Sequence, residues 1–152
     1  MSKYECYETM FSDRDCLVNA IRAAGYTQVE VHEEPVHLRG YMNDKRPEKA
    51  EIVIRKEDIS RASNDVGFRR REDGTYEAIV SEYDKRLSRW VESEKKIRKE
   101  YAREAALKTL KDKGYENIQV EKTKDGKYRI TAKVPPHRIR AKKQTVGMGV
   151  KK

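Results

Sequence analysis

The sequence predicts an α+β fold in which two helices pack on one face of a mostly antiparallel sheet. Two stretches with apolar residues at helical spacing each stop at a glycine, the segments around them alternate apolar and polar residues, and Asp-Gly pairs stand where those segments need a turn. The order strand, helix, four strands or near-strands, helix, two strands favours helices gathered on a sheet of hairpins over a chain of parallel crossovers.

Lys3 to Phe11 reads as the first strand, with Tyr4, Cys6, Glu8 and Met10 on one face and Glu5, Tyr7, Thr9 and Phe11 on the other. A helix follows, with Ser12 as its cap and Asp13 and Asp15 where the helix dipole favours negative charge. Leu17, Ala20, Ile21 and Ala24 form its apolar stripe, and Gly25 ends it. A short strand carries Val29 and Val31 on one face, and a polar loop is predicted from Asn43 to Glu48. Ala50 to Arg55 and Val66 to Arg71 read as buried strands, with Gly67 marking a bulge or a close backbone approach. Asp73 and Gly74 then turn the chain into the strand Tyr76 to Glu82.

From about Leu87 to Lys113 no Pro or Gly interrupts a second helix, whose stripe includes Leu87, Trp90, Val91, Ile97, Tyr101, Ala105 and Leu110. Gly114 stops it, and a hairpin around Asp125 and Gly126 closes the body before Pro135 and Pro136. The two helix ends echo each other: Ala20 to Val31 reads AIRAAGYTQVEV and Thr109 to Val120 reads TLKDKGYENIQV. Each is followed further on by Asp-Gly, one residue, and Tyr, which suggests two related helix-Gly-Tyr-strand units, the first enlarged by an insertion.

An apolar share of 36% against a charged share of 40% predicts a thin core under a highly charged surface. The length suits one domain, placed at 1–134, with a disordered basic tail at 135–152. The net charge is +9, and six bases, Arg138, Arg140, Lys142, Lys143, Lys151 and Lys152, fall in that tail with no acid among them. A flexible segment of this kind suits anionic partners such as nucleic acid, although it lacks the aromatics that stack on bases. The opening residues are polar, no run of about 18 apolar residues occurs, and Cys6 and Cys16 form no CxxC pair. These features predict a cytoplasmic protein with two reduced thiols and no membrane partner.

Several stretches together carry a family resemblance. They are Ser2 to Phe11 before Asp13 to Leu17, the Gly25-Tyr26 junction with Val29-Glu30-Val31, Arg39-Gly40-Tyr41, Ala50 to Ile54, Asn64 to Phe68, and Glu100-Tyr101-Ala102. Over residues 1–134 the chain resembles the plastid and cyanobacterial family called hypothetical chloroplast reading frame thirty-five, whose wider bacterial membership is classed as domain of unknown function 1257. The resemblance implies a small α+β accessory protein without established catalytic activity, and by association a protein partner such as an AAA-type ATPase. The basic tail and the longer polar segments, Asn43 to Glu48 and Glu57 to Ser63, depart from the plastid pattern.

The best candidate for a partner-binding surface is the set Arg39, Gly40, Tyr41, Asn64, Asp65, Gly67 and Phe68, in which the glycines would let another backbone come close. The bland alternative gives Asn64 and Asp65 a turn and pairs Arg39 with a carboxylate. Glu82 and Asp84 are paired carboxylates at a strand end, but no His or nucleophilic Ser accompanies them, so no catalytic residue is assigned. His32 and His37 with Cys6 and Cys16 are zinc-type ligands without finger or ribbon spacing, so no metal is expected. No Gly-rich phosphate loop, nucleophile elbow or dinucleotide fingerprint is present, and no cofactor is implied. The leading expectation is a non-enzymatic adaptor. Its rival is a non-specific nucleic-acid binder using the tail with Lys85, Arg86, Arg89, Lys95, Lys96, Lys99 and Arg103.

Overall fold

A computed structural model of the chain describes residues 3–86, 88–135 and 143–148, with the backbone alone at 88, 89 and 143–148. The elements run β1 (Tyr4–Glu8), α1 (Arg14–Ala23), β2 (Glu30–Arg39), β3 (Lys45–Ile54), α2 (Lys56–Ile59), β4 (Val66–Arg70), β5 (Tyr76–Ser81), α3 (Glu82–Arg86), α4 (Ser88–Asp112), β6 (Glu116–Lys122), β7 (Tyr128–Lys133) and β8 (Lys143–Met148). The class is α+β, and every strand pairing is antiparallel. The strands divide between two sheets, one of five in the order β1-β5-β4-β3-β2 and one of three in the order β6-β7-β8. The chain correspondingly forms two compact units, Met1–Ile97 and Arg98–Lys152, where one domain over 1–134 is expected from the sequence.

In the first unit, Asp13 rather than Ser12 caps α1, its side chain accepting the Cys16 N–H at 2.9 Å. The carboxylate is the stronger acceptor and stands one residue nearer the first turn. At the far end Gly25 adopts φ +114°, its N–H donating to Arg22 O at 2.9 Å, while the Tyr26 N–H reaches Ile21 O at 3.2 Å. These two bonds consume carbonyls that the helix leaves open. The Tyr26 ring is buried and its hydroxyl lies 2.5 Å from Ser93 Oγ on α4.

The five-stranded sheet is buried on both faces in its middle, which is why Ile52-Val53-Ile54 and Ala78-Ile79-Val80 are continuous apolar runs. Register puts Ile52, Phe68 and Ala78 side by side, and Phe11 meets Phe68 edge-on on that face at 6.2 Å between centroids. Tyr7 shares this face with Ala78 and donates to the Glu94 carboxylate of α4 at 2.8 Å. On the opposite face Val53 and Ile79 pack with Leu38 and Ala50. Those last two come from the outer half of the β2–β3 hairpin, which bends over the sheet after the register shift between Val31 and Val36.

The predicted loop at Asn43 to Glu48 is therefore mostly strand. The β2–β3 arms run to Arg39 and Lys45, and only the tip between them turns, with Asn43 at φ +64°. Charged side chains conceal these strands because the alternating exposed and half-covered positions of Lys45 to Lys49 carry charges on both faces. Gly67 marks a close approach: a Cβ there would stand 2.6 Å from the Ala50 Cβ and 3.1 Å from a Leu38 methyl.

In the second unit α4 ends as α1 does. The Gly114 N–H donates to Lys111 O and the Tyr115 N–H to Leu110 O, both at 3.0 Å, with Gly114 at φ +81°. The two Asp-Gly turns also agree. Gly74 N–H to Arg71 O and Arg71 N–H to Thr75 O measure 3.0 and 2.7 Å, and Gly126 to Thr123 and Thr123 to Lys127 repeat those values. Ile130, Ala132 and Leu110 form the small core, against which Ala102, Ala106, Tyr115 and Val120 pack.

Residues 143–148 form β8 against β7, so this part of the segment expected to be a structureless tail is a strand. Thr145 and Val146 favour extended backbone, and the pairing satisfies the outer edge of β7. Arg138, Arg140, Lys142, Lys151 and Lys152 lie outside the described residues, whereas Lys143 is the first residue of β8.

Candidate functional site

The bent hairpin brings Arg39-Gly40-Tyr41 onto the segment Ser63-Asn64-Asp65, two stretches far apart in sequence. Arg39 and Asp65 exchange backbone contacts: Asp65 N–H donates to Arg39 O at 3.0 Å, and Asp65 Oδ2 accepts the Arg39 N–H at 2.7 Å. The fully buried Asp65 carboxylate also accepts from Arg55 Nη1 at 2.7 Å and from the Lys56 N–H at 2.8 Å. Arg55 in turn forks onto Glu30, Nε and Nη2 each reaching a carboxylate oxygen at 2.9 Å. Its hydrogen bonds to Glu30 and Asp65, opposed by burial, hold the Arg55 guanidinium above its ordinary pKa, and the same bond to Arg55 holds Glu30 below the usual glutamate range. Tyr4 closes the arrangement from β1, its hydroxyl donating to Asp65 O at 2.7 Å and lying 3.2 Å from Arg39 O. Burial, helped by the Asp65 charge, pushes the Tyr4 phenol well above the usual tyrosine range.

A second buried network adjoins the first. Asn64 donates its N–H and its Nδ2 to Asp84 Oδ2 at 3.0 and 3.3 Å, and its Oδ1 accepts the Tyr41 N–H at 2.8 Å. Ser81 Oγ donates to Asp84 Oδ2 at 2.8 Å while accepting from Asn64 Nδ2 at 3.0 Å and from the Asp84 N–H at 3.1 Å, so the hydroxyl uses one proton and both lone pairs. Ser81 thereby caps α3, and Asp84 holds Asn64 in place. Asp84 Oδ1 is buried without a hydrogen-bond partner among the described residues.

Above this floor lies an open cleft of about 490 Å³ lined by Tyr41, Met42, Asp44, Ala62, Asn64, Glu82 and Tyr83. Tyr41, Met42 and Tyr83 are 54%, 73% and 41% exposed, an apolar rim around a polar, fixed base. The structure thus unites Arg39, Gly40, Tyr41, Asn64 and Asp65, but in different roles: Tyr41 and Asn64 face the cleft, while Asp65 is internal scaffolding. Gly67 and Phe68 are corrected to the sheet interior, Gly67 beneath Leu38 and Ala50 and Phe68 against Phe11. They support the surface and cannot touch a partner. Met42 and Tyr83 were missed by sequence reasoning; Tyr83 stands between the two carboxylates that drew attention, and Met42 follows Tyr41 directly.

Of the paired carboxylates, Glu82 lines the cleft and Asp84 is consumed by the Asn64 and Ser81 bonds. Cys16 is buried in α1, His32 contacts Glu30, and His37 Nδ1 lies 2.8 Å from Arg46 O. Among the described residues no group of three or more His, Cys, Asp or Glu could hold a metal ion. The long-helix basic face is divided between the units: Lys85 pairs with Glu5 at 2.8 Å and Lys95 with Glu92 at 3.6 Å in the first, and Lys99 and Arg103 belong to the second. Among the described residues no helix is long and apolar enough to cross a membrane.

No curated protein and no solved structure matches the chain. A family model does, over residues 21–131, a span that holds β2 to β6 and the first part of β7, the hairpin tip, the Asp84 network, the Asp65 network apart from Tyr4, and the cleft. The chain belongs to the family described as protein of unknown function (DUF1257).

Proposed function

We propose that this chain is a non-enzymatic accessory protein whose first unit binds a protein partner through the cleft between the β2–β3 tip and α3. The observation that carries this is the rim of Tyr41, Met42 and Tyr83, three large exposed apolar side chains around one concavity. Aromatic and methionine side chains over a pre-ordered base are what interface centres are made of, because they desolvate much area at little entropic cost. The base is ordered through Asn64, whose donors and acceptor are all engaged. Among the described residues the lining offers two carboxylates, Asp44 and Glu82, and neither histidine nor cysteine, which suits recognition better than proton transfer. In this proposal the tail bases Arg138, Arg140, Lys142, Lys143, Lys151 and Lys152 add electrostatic affinity for an acidic partner.

The test compares affinity purification from native extract with the intact chain and with a Tyr41→Ala/Met42→Ala variant of unchanged circular dichroism. A stoichiometric protein lost at least tenfold from the variant supports the proposal, and its recovery in equal amount by both proteins sinks it. An AAA-type ATPase is the first purified partner to try, following the implied association.

A further inference from the structure

We propose that the second unit, Arg98–Lys152, is a nucleic-acid-binding module that grips the phosphodiester backbone at a cation cluster centred on Tyr128. Residues 98–152 hold 17 Lys or Arg against 6 Asp or Glu, a net of +11, whereas residues 1–97 hold 18 against 20, a net of −2. The positive charge of this protein therefore belongs to one structural unit, and its excess begins on α4, well before the C-terminal segment. A compact unit of 55 residues with that imbalance attracts polyanions over the whole Debye length.

The described side chains give the charge a focus. Lys99 Nζ, the Arg103 guanidinium and Lys122 Nζ stand 5.8, 5.4 and 5.6 Å from the Tyr128 ring centroid. Two come from α4 and one from the end of β6, where Lys122 pairs across the ladder with Tyr128. The ring attracts the cations through its quadrupole and holds them in one place. Glu100 accepts the Tyr128 hydroxyl at 2.7 Å, and Glu104 pairs with Arg103 at 3.1 Å and partly offsets its charge. Lys99 also donates to Gly126 O at 3.0 Å, which ties the cluster to the Asp-Gly turn. Glu104 offsets only part of the charge that the three cations bring to one ring, and a chain of phosphates completes the neutralisation while releasing its own counterions. Cations aimed at phosphates read no bases, so binding is indifferent to sequence.

The test uses the full chain and fluorescein-labelled mixed-sequence DNA, single-stranded and duplex, by anisotropy at 50 to 300 mM salt. The intact protein is expected to bind either form with affinity falling steeply as salt rises. The Lys99→Glu/Arg103→Glu/Lys122→Glu variant is expected to bind on the order of 10- to 100-fold more weakly, with the log–log salt slope reduced by about 2–3. A triple Gln variant, closer in size and free of new repulsion, should fall between them if the first variant loses helicity. Tyr41→Ala/Met42→Ala should bind DNA like the intact chain, which separates this inference from the partner proposal. Equal affinity of the intact and Gln-substituted proteins, or equally tight binding of poly-glutamate in place of DNA, overturns it.

Discussion

Asp65 and Arg39, 26 residues apart, are joined by a reciprocal pair of hydrogen bonds, the Arg39 N–H to the Asp65 carboxylate at 2.7 Å and the Asp65 N–H to the Arg39 carbonyl at 3.0 Å. That pair fastens the hairpin tip, which carries Tyr41 and Met42 of the cleft, to the segment before β4. Removing the carboxylate strands the Arg39 and Lys56 N–H groups and leaves Arg55 with Glu30 and the His37 carbonyl. Asp65→Ala is expected to cost about 3–5 kcal/mol in urea denaturation.

Asp84 separates a structural carboxylate from a chemical one. Its three side-chain hydrogen bonds converge on Oδ2, so Asn can keep them with its carbonyl oxygen and place its amide where Oδ1 now lies. Asp84→Asn should lose no more than about 1.5 kcal/mol, and Asp84→Ala about 2–4 kcal/mol, by the same measurement. An Asn variant as unstable as the Ala variant would contradict the geometry.

Gly67 tests the packing of the bent hairpin. Gly67→Ala places a methyl 2.6 Å from the Ala50 Cβ, and overpacking of this sort costs about 1–3 kcal/mol. The second change Ala50→Gly should restore most of the loss, so that a double-mutant cycle shows coupling above 0.5 kcal/mol on the order expected for touching residues.

Acid sensitivity should trace partly to Glu30. Its carboxylate is held low chiefly by the Arg55 hydrogen bond, against burial, with His32 adding to the effect. A depressed folded-state pKa means the stabilisation is complete above the unfolded value of about 4.3 and disappears as pH falls through the lower folded value. Urea midpoints at pH 7, 4 and 3 should show Glu30→Gln less stable than the unchanged protein at pH 7, with the gap closing toward pH 3.

The parts of this fold that were legible in the sequence are those governed by local rules. Gly25-Tyr26 and Gly114-Tyr115 announce helix ends, and both form the same two hydrogen bonds. Asp73-Gly74 and Asp125-Gly126 announce hairpins, and both turn alike. The outer arms of β2 and β3 were not legible, since Glu33, Glu34, Lys45 and Lys49 lie on exposed strand positions and hide the buried Leu38. Nor was the division into two sheets, because alternation reports a strand's faces and not its neighbours. Asn64 and Asp65 were noticed for their place in the chain, yet their burial at 3% and 0% follows from partners distant in sequence. Tyr41 was found, but the cleft needed Tyr83, which only folding brings across from it.

The five-stranded sheet also sets a timetable. β1 has β5 as its neighbour, with Tyr4 opposite Ser81 and Glu8 opposite Glu77, so the first strand made waits for the last strand of its sheet. At a ribosomal pace of about 5–20 residues per second that wait is roughly 4–15 s. For most of it the Tyr4 hydroxyl also lacks the Asp65 carbonyl that it meets in the folded sheet.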